Sequence, residues 1–315
     1  YGNFWSIWDY DQQNDQISQA DYYRDVVALT RWNGNGTLGA VYFLRPGGGS
    51  GVAGGSNSDF KNKSRIEPRG LLVDGTNIYV TSETSDGDKE AHILKLTISS
   101  ETAVPAYAWT KSHAYGDGST SQWYGRSSYS RFKPICVDPN DNHLIMSAAL
   151  NDGTGTNGNQ FGGWRTGLMK IDASDGSIIW GKVLDGSNGD PSNGTWTQWG
   201  TSIALHDTNY LMVIGNVYDS NNTWRLFCRL INISDGTTSK IYELNATGTA
   251  VGGTDWQYPQ QYYQVQTAIT DADGCAVVAF SLEGTNTDYR PSILKFPKNF
   301  SNWTGTLGTQ TGANA

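Results

Sequence analysis

Of 315 residues only 17% are charged, and 22 basic against 30 acidic side chains leave a formal net charge of −8, which argues against nonspecific binding to nucleic acid. No apolar run approaches the ~18 residues of a membrane-spanning helix, and no signal-like segment stands at the N-terminus. With 38 glycines and abundant Asn, Ser and Thr, the composition is that of a turn-rich chain suited to an extracellular or particle-surface setting.

Read in chain order, the first apolar run, Asn3 to Asp11, aligns with the later NYLMVIGNVYD (Asn209 to Asp219). Tyr23-Arg24 then precedes a hairpin ending at the apolar run around Tyr42. From there two hairpins alternate. One is led by a turn aspartate, in RGLLVDGTNIYVTS, PICVDPNDNHLIMSA, SIALHDTNYLMVIGN and TAITDADGCAVVAFS, where Asp74, Asp138, Asp207 and Asp271 stand 64, 69 and 64 residues apart. The other follows an aromatic-Arg pair at Trp164-Arg165, Trp224-Arg225 and Tyr289-Arg290, while the copy HILKLTISSETAVPAYAWTK lacks the pair.

A fixed period with four short apolar runs per unit predicts tandem four-stranded antiparallel meanders, each with strands A to D. Without helices to cover them, such units bury their faces on one another, so the predicted fold is an all-β propeller of about five blades. The rival architecture is a parallel β-helix, whose coils are much shorter than this period and lack two hairpins per unit. The blade fragments are 1–44, 66–112, 132–184, 199–244 and 263–310, within a single domain spanning 1–315. Because the first run aligns with a strand B, the first blade is expected to lack strand A, and the chain to be part of a larger polypeptide.

Chemistry-bearing motifs are sparse. His92, His113, His143 and His206 form no metal-binding or triad pattern, and no phosphate or dinucleotide fingerprint occurs. Acidic turns such as Asp172 to Gly176 and Asp271 to Gly274 could offer oxygens to Ca²⁺, but Asp-Gly is the ordinary chemistry of a tight hairpin, and no cofactor is expected. Cys136, Cys228 and Cys275 are odd in number and flanked by apolar residues, which predicts buried free thiols.

Loop lengths are asymmetric. The A to B and C to D turns are short, whereas the B to C loops and the links between blades are long, and long loops on a rigid scaffold are where binding resides. They concentrate Trp123, Tyr124, Trp164, Trp196, Trp199, Trp224, Trp256 and Tyr258 as candidate partner-binding residues. The bland alternative places these aromatics as wedges between blades, with the aromatic-Arg pairs sealing blade junctions by cation-π contacts.

The units LMKIDASDGSIIWGKVLDG and SIALHDTNYLMVIGNVYD resemble the bacterial β-propeller repeat family, in which a Lys-hydrophobic-Asp strand, an Asp/Ser-Gly turn and a Trp strand precede a second hairpin. Trp109 and Trp180 hold that tryptophan, and Tyr42 and Tyr242 replace it in other units. Such repeats are also similar to those of quinoprotein propellers and of structural proteins of tailed phages. The resemblance implies a propeller with a scaffold role. The expected function is therefore a non-enzymatic structural and binding propeller of a virion or surface assembly, a tail, fibre or decoration component. Its aromatic face would meet other structural proteins, a cell-surface glycan or a receptor. Two rivals stay open: a quinoprotein-like dehydrogenase, and a secreted glycan-binding propeller.

Overall fold

The computed structural model describes residues 3–10, 26–44, 66–84, 91–113, 131–151, 164–184, 197–218, 224–244, 267–270, 276–283 and 289–296. They form two compact units, residues 1–135 with 172–177 and residues 136–171 with 178–315. The first unit holds the sheet β1 (Phe4–Tyr10), β2 (Val26–Trp32) and β3 (Leu38–Leu44). It also holds the sheet β4 (Ile66–Asp74), β5 (Asn77–Thr84), β6 (Ala91–Thr97) and β7 (Ala106–His113). The sheet β8 (Arg131–Val137), β9 (Leu144–Asn151), β10 (Trp164–Ile171) and β11 (Ile178–Leu184) has residues 131–135 and the turn 172–177 in the first unit and the rest in the second. Next come β12 (Thr197–Leu205), β13 (Tyr210–Tyr218), β14 (Trp224–Asn232) and β15 (Thr238–Leu244), then β16 (Thr267–Thr270), β17 (Ala276–Glu283) and β18 (Tyr289–Phe296).

Every described pairing is antiparallel and joins consecutive strands. Five meanders in series are the blades of an all-β propeller, with the first sheet three-stranded and β1 at its edge. The strands start slightly earlier than their apolar runs suggest. Trp164 pairs with Asn151, Trp224 with Tyr218 and Tyr289 with Glu283, so the aromatic-Arg pair opens the third strand instead of preceding it. Ladder pairing, not hydrophobicity, sets where these strands begin.

Period-2 alternation gives each strand a buried row. Val27, Leu29, Tyr42, Leu44, Ile78, Val80, Leu94, Leu96 and Ile98 form the core of the first unit, with Trp5 and Ile7 packed on it and Trp5 stacked on Tyr42 at 6.1 Å. Phe4 and Trp8, one step out of phase on β1, are exposed. In the second unit Ile145, Leu168, Ile203, Leu211, Val213, Ile231 and Ile233 make the equivalent cluster.

One joint recurs in both units. The Trp109 indole N–H donates to the carbonyl of Ala173 at 3.2 Å, joined there by Lys95 Nζ at 2.9 Å. In the second unit the Trp180 indole N–H donates to the carbonyl of Ile233 at 3.2 Å. Each acceptor lies in a turn that folds the same way. Asp172 Oδ1 accepts the N–H and hydroxyl of Ser174, and Asp175 Oδ1 accepts the N–H of Ser177. Asn232 and Asp235 repeat this with Ser234 and Thr237. The turn glycines Gly176 and Gly236 adopt φ of 78° and 72°, and a Cβ on either would lie 2.8 Å from the tryptophan ring of the neighbouring sheet.

Those carboxylates are engaged by turn amides and hydroxyls, as the Asp-Gly reading of the acidic turns expects. Hydrogen bonds from Ser177 and Thr237 hold Asp175 and Asp235 below the usual carboxylate range.

Cys136 is a free thiol packed against the second core cluster. Burial, followed by the nearby Asp138 carboxylate, pushes its pKa up to about 12, so the nucleophilic thiolate is suppressed. Cys228 lies on β14 opposite Ile214 and Tyr242, and Cys275 is outside the described residues. Iodoacetamide at pH 8 should leave the Cys136 peptide unmodified in the folded protein and alkylate it in guanidinium. Rapid labelling of that peptide in native buffer would show the thiol to be reactive after all.

Candidate functional site

The two ends of each sheet differ in chemistry. At the short-turn end, polar groups are consumed by local bonds. Asp138 Oδ1 accepts the N–H and side-chain amide of Asn140, Asp138 Oδ2 accepts Lys170 Nζ at 2.5 Å, and Asp141 Oδ2 accepts the same ammonium at 2.6 Å. The Asn140 amide also reaches the Thr208 carbonyl in the next turn. Burial alone would lift Asp141, but the bonds from Lys170 hold it below the usual range; burial alone would lower Lys170, but the two carboxylates raise it. In this turn the Lys170 ammonium and the Asp138 and Asp141 carboxylates satisfy one another.

At the opposite end stand the aromatic residues. In the β12–β15 sheet, Trp199 pairs with Asn216 and Trp224 with Tyr218, which places two tryptophans two strands apart, about 10 Å across the ladder. Trp164 opens β10 and Tyr289 opens β18 at the same register. Of the residues expected to meet a partner, Trp164, Trp199 and Trp224 are thus placed at this end. Trp123, Tyr124, Trp196, Trp256 and Tyr258 lie outside the described residues. The joints described above are made by Trp109 and Trp180; the side chains of the aromatic-Arg pairs lie outside the described residues.

Two features here escaped the sequence. The first strand of a sheet bulges in each unit near this end, between Pro68 and Gly70 on β4 and between Trp199 and Ser202 on β12. Bulges re-aim side chains and recur beside functional sites. Just beyond the first, Glu67 pairs directly with Glu83 of β5. Sequence periodicity does not reveal it, because the bulge decides which residues face each other.

No protein-family model matches the chain, and no curated protein is significantly similar to it. Several solved structures are distantly similar. One is a GH43 β-1,3-galactosidase with galactodeoxynojirimycin, 7% identical over 93% of this chain and 87% of that one, with a TM-score of 0.45. Another is a GH43 β-xylosidase/α-arabinofuranosidase from a compost microbial metagenome, 11% identical over 97% and 91%, with a TM-score of 0.47. A third is an exo-β-1,3-galactanase from Clostridium thermocellum, 13% identical over 92% of this chain but 56% of that one, with a TM-score of 0.47.

A tail fibre of Staphylococcus aureus phage P68 is 11% identical over 75% of this chain and 51% of that one, with a TM-score of only 0.32. The expectation of a non-enzymatic structural propeller of a virion is corrected by this set. It rested on sparse catalytic motifs, low charge and a turn-rich composition, and these three structures, similar over nearly the whole chain, are glycoside hydrolases, with the fibre the weaker match. Likeness this distant transfers no substrate and no reaction to this chain.

Proposed function

We propose that this is a carbohydrate-directed β-propeller that holds a saccharide at the sheet ends opposite its satisfied turns. One observation carries the reading: Trp164, Trp224 and Tyr289 open the third strand of three successive sheets in one register. An aromatic residue recurring at one strand position suits a repeated polymer, because sugar faces stack on aromatic rings while their hydroxyls find polar partners. Glycan-array binding and calorimetry test it. The wild type should retain an oligosaccharide, and Trp224→Ala should weaken that binding about ten-fold, the scale of one lost stacking contact, with little change in melting temperature. An array on which nothing is retained would sink the reading, as would loss of binding that merely follows loss of stability.

A second reading, that the chain cleaves glycosides, is favoured by Glu67 opposite Glu83 in the first unit. That reaction uses two carboxyl groups, one protonating the leaving oxygen and the other acting as nucleophile or base, and β4 and β5 make Glu67 and Glu83 backbone ladder partners. Release of reducing sugar that survives Glu67→Gln and Glu83→Gln would exclude these two residues from the chemistry.

A further inference from the structure

We infer that Asn35 is a site of spontaneous covalent modification, at which the side-chain amide is lost and an aspartyl residue forms. Two Asn-Gly steps fall among the described residues, Asn33-Gly34 and Asn35-Gly36, both in the turn between β2 and β3. As sequence the two are equivalent, since in each a glycine nitrogen unhindered by a Cβ follows a side-chain carbonyl it can attack. The turn makes them unequal. Asn35 is exposed, and its Oδ1 accepts the Thr37 N–H at 3.1 Å and the Thr37 hydroxyl at 2.7 Å. Two donors on one carbonyl oxygen stabilise the negative charge that develops there under attack. The hydroxyl is polarised in turn, because it accepts Asn33 Nδ2 at 2.9 Å. That bond ties down the nitrogen Asn33 would have to lose, while no described residue holds the amide nitrogen of Asn35.

The step balances with water alone. Gly36 N bonds to Asn35 Cγ as its proton passes to solvent, the Cγ–Nδ2 bond breaks, and the nitrogen leaves as ammonia with a proton taken from water. Water then opens the cyclic imide at either carbonyl, giving aspartate or isoaspartate. The Gly36 N–H donates to the Asn33 carbonyl at 2.8 Å, a bond that must open first. Room for the ring is present: no described atom lies within 4 Å of where a Gly36 Cβ would stand, whereas at Gly176 and Gly236 a tryptophan ring fills that place. The fold also suits the aspartate product. Asp175 and Asp235 precede Gly176 and Gly236 as Asn35 precedes Gly36, and the Oδ1 of each accepts the N–H two residues on. A carboxylate at position 35 would take the same bonds from Thr37, strengthened by its charge.

The test holds the protein for days at mildly alkaline pH and follows the tryptic peptide beginning at Trp32 by mass spectrometry, with fragmentation that locates each converted residue. In the folded wild type Asn35 should convert about five-fold faster than Asn33, the scale of one hydrogen bond, and both aspartate and isoaspartate should appear. In guanidinium the two residues should convert at similar rates, because the turn is gone. Thr37→Val should slow Asn35 about five-fold in the folded protein, whereas Thr37→Ser, which keeps the hydroxyl, should not. Conversion of Asn33 as fast as Asn35 in the folded protein, or of neither, would overturn the inference. Aspartate without isoaspartate would mean direct hydrolysis with no imide and would overturn the step. A faster Asn35 in Thr37→Val would show the turn to protect the amide and would overturn the activation. Should Thr37→Val fail to fold, the ratio of the two asparagines in folded and unfolded wild type still decides.

Discussion

Replacing Lys170 with Met should destabilise the protein by about 3–5 kcal/mol, the cost of stranding a buried carboxylate, read as a shift of the chemical-denaturation midpoint. Lys170 and Asp138 are nearly inaccessible, with side chains 6% and 1% exposed, so removing the ammonium leaves the Asp138 carboxyl without its ion-pair partner away from water. Asp141, at 38% exposure, contributes little by itself because solvent screens it. The triple change Lys170→Met, Asp138→Asn, Asp141→Asn should recover much of the loss, since a neutral amide is cheaper to bury than a lone charge.

The same pair fixes a pH window. The Asp141 pKa lies below its ordinary 3.8, so its contribution is complete above about pH 4 and is lost as pH falls through the depressed value. The Lys170 pKa lies above its ordinary 10.5, so its contribution is complete below that pH and is lost as pH rises through the raised value. Wild-type stability should therefore hold across neutral pH and fall at both extremes, and the triple variant should lose less at each end. A Lys170→Met protein as stable as the wild type would show the ion pair to be dispensable.

The blades were legible because their signals are local and redundant. Asp74, Asp138 and Asp207 mark the first hairpin of three units, and Gly176 and Gly236 occupy turn positions whose φ favours glycine. The joints were half legible. Trp109 and Trp180 stood out as recurring residues, but nothing in their spacing says that each indole meets the turn of the next sheet in the chain. The motif Trp-x-Lys, present as Trp109-Thr110-Lys111 and Trp180-Gly181-Lys182, was the signal to follow, because both glycine contacts use the lysine stem as well as the ring. The Glu67–Glu83 pairing and the bulges were not legible, since a one-residue slip changes every facing pair without changing the alternation of apolar residues. Loop residues such as Trp123 and Trp256 carry no register at all, so sequence could propose them and no ladder places them.

The joint itself yields the second large effect. Gly236→Ala should cost about 2–4 kcal/mol, whereas Gly75→Ala should cost only about 1–2 kcal/mol. Both glycines have positive φ, 72° and 56°, so both substitutions incur the penalty of placing a Cβ in the left-handed region. They differ in what the Cβ meets. At Gly75 nothing lies within 4 Å, while at Gly236 the new methyl would sit 2.7 Å from Lys182 Cγ and 2.8 Å from Trp180 Cζ3. The indole would have to withdraw, and with it the hydrogen bond from its N–H to the Ile233 carbonyl. A mutant cycle isolates that contact. In a Trp180→Ala, Lys182→Ala background the Gly236→Ala change should cost no more than Gly75→Ala does, because the ring and the lysine stem that the new methyl would meet are both gone. Equal costs for the two glycine substitutions in the wild-type background would mean that Trp180 yields freely, and the tryptophan-on-glycine joint would then contribute nothing to holding one blade against the next.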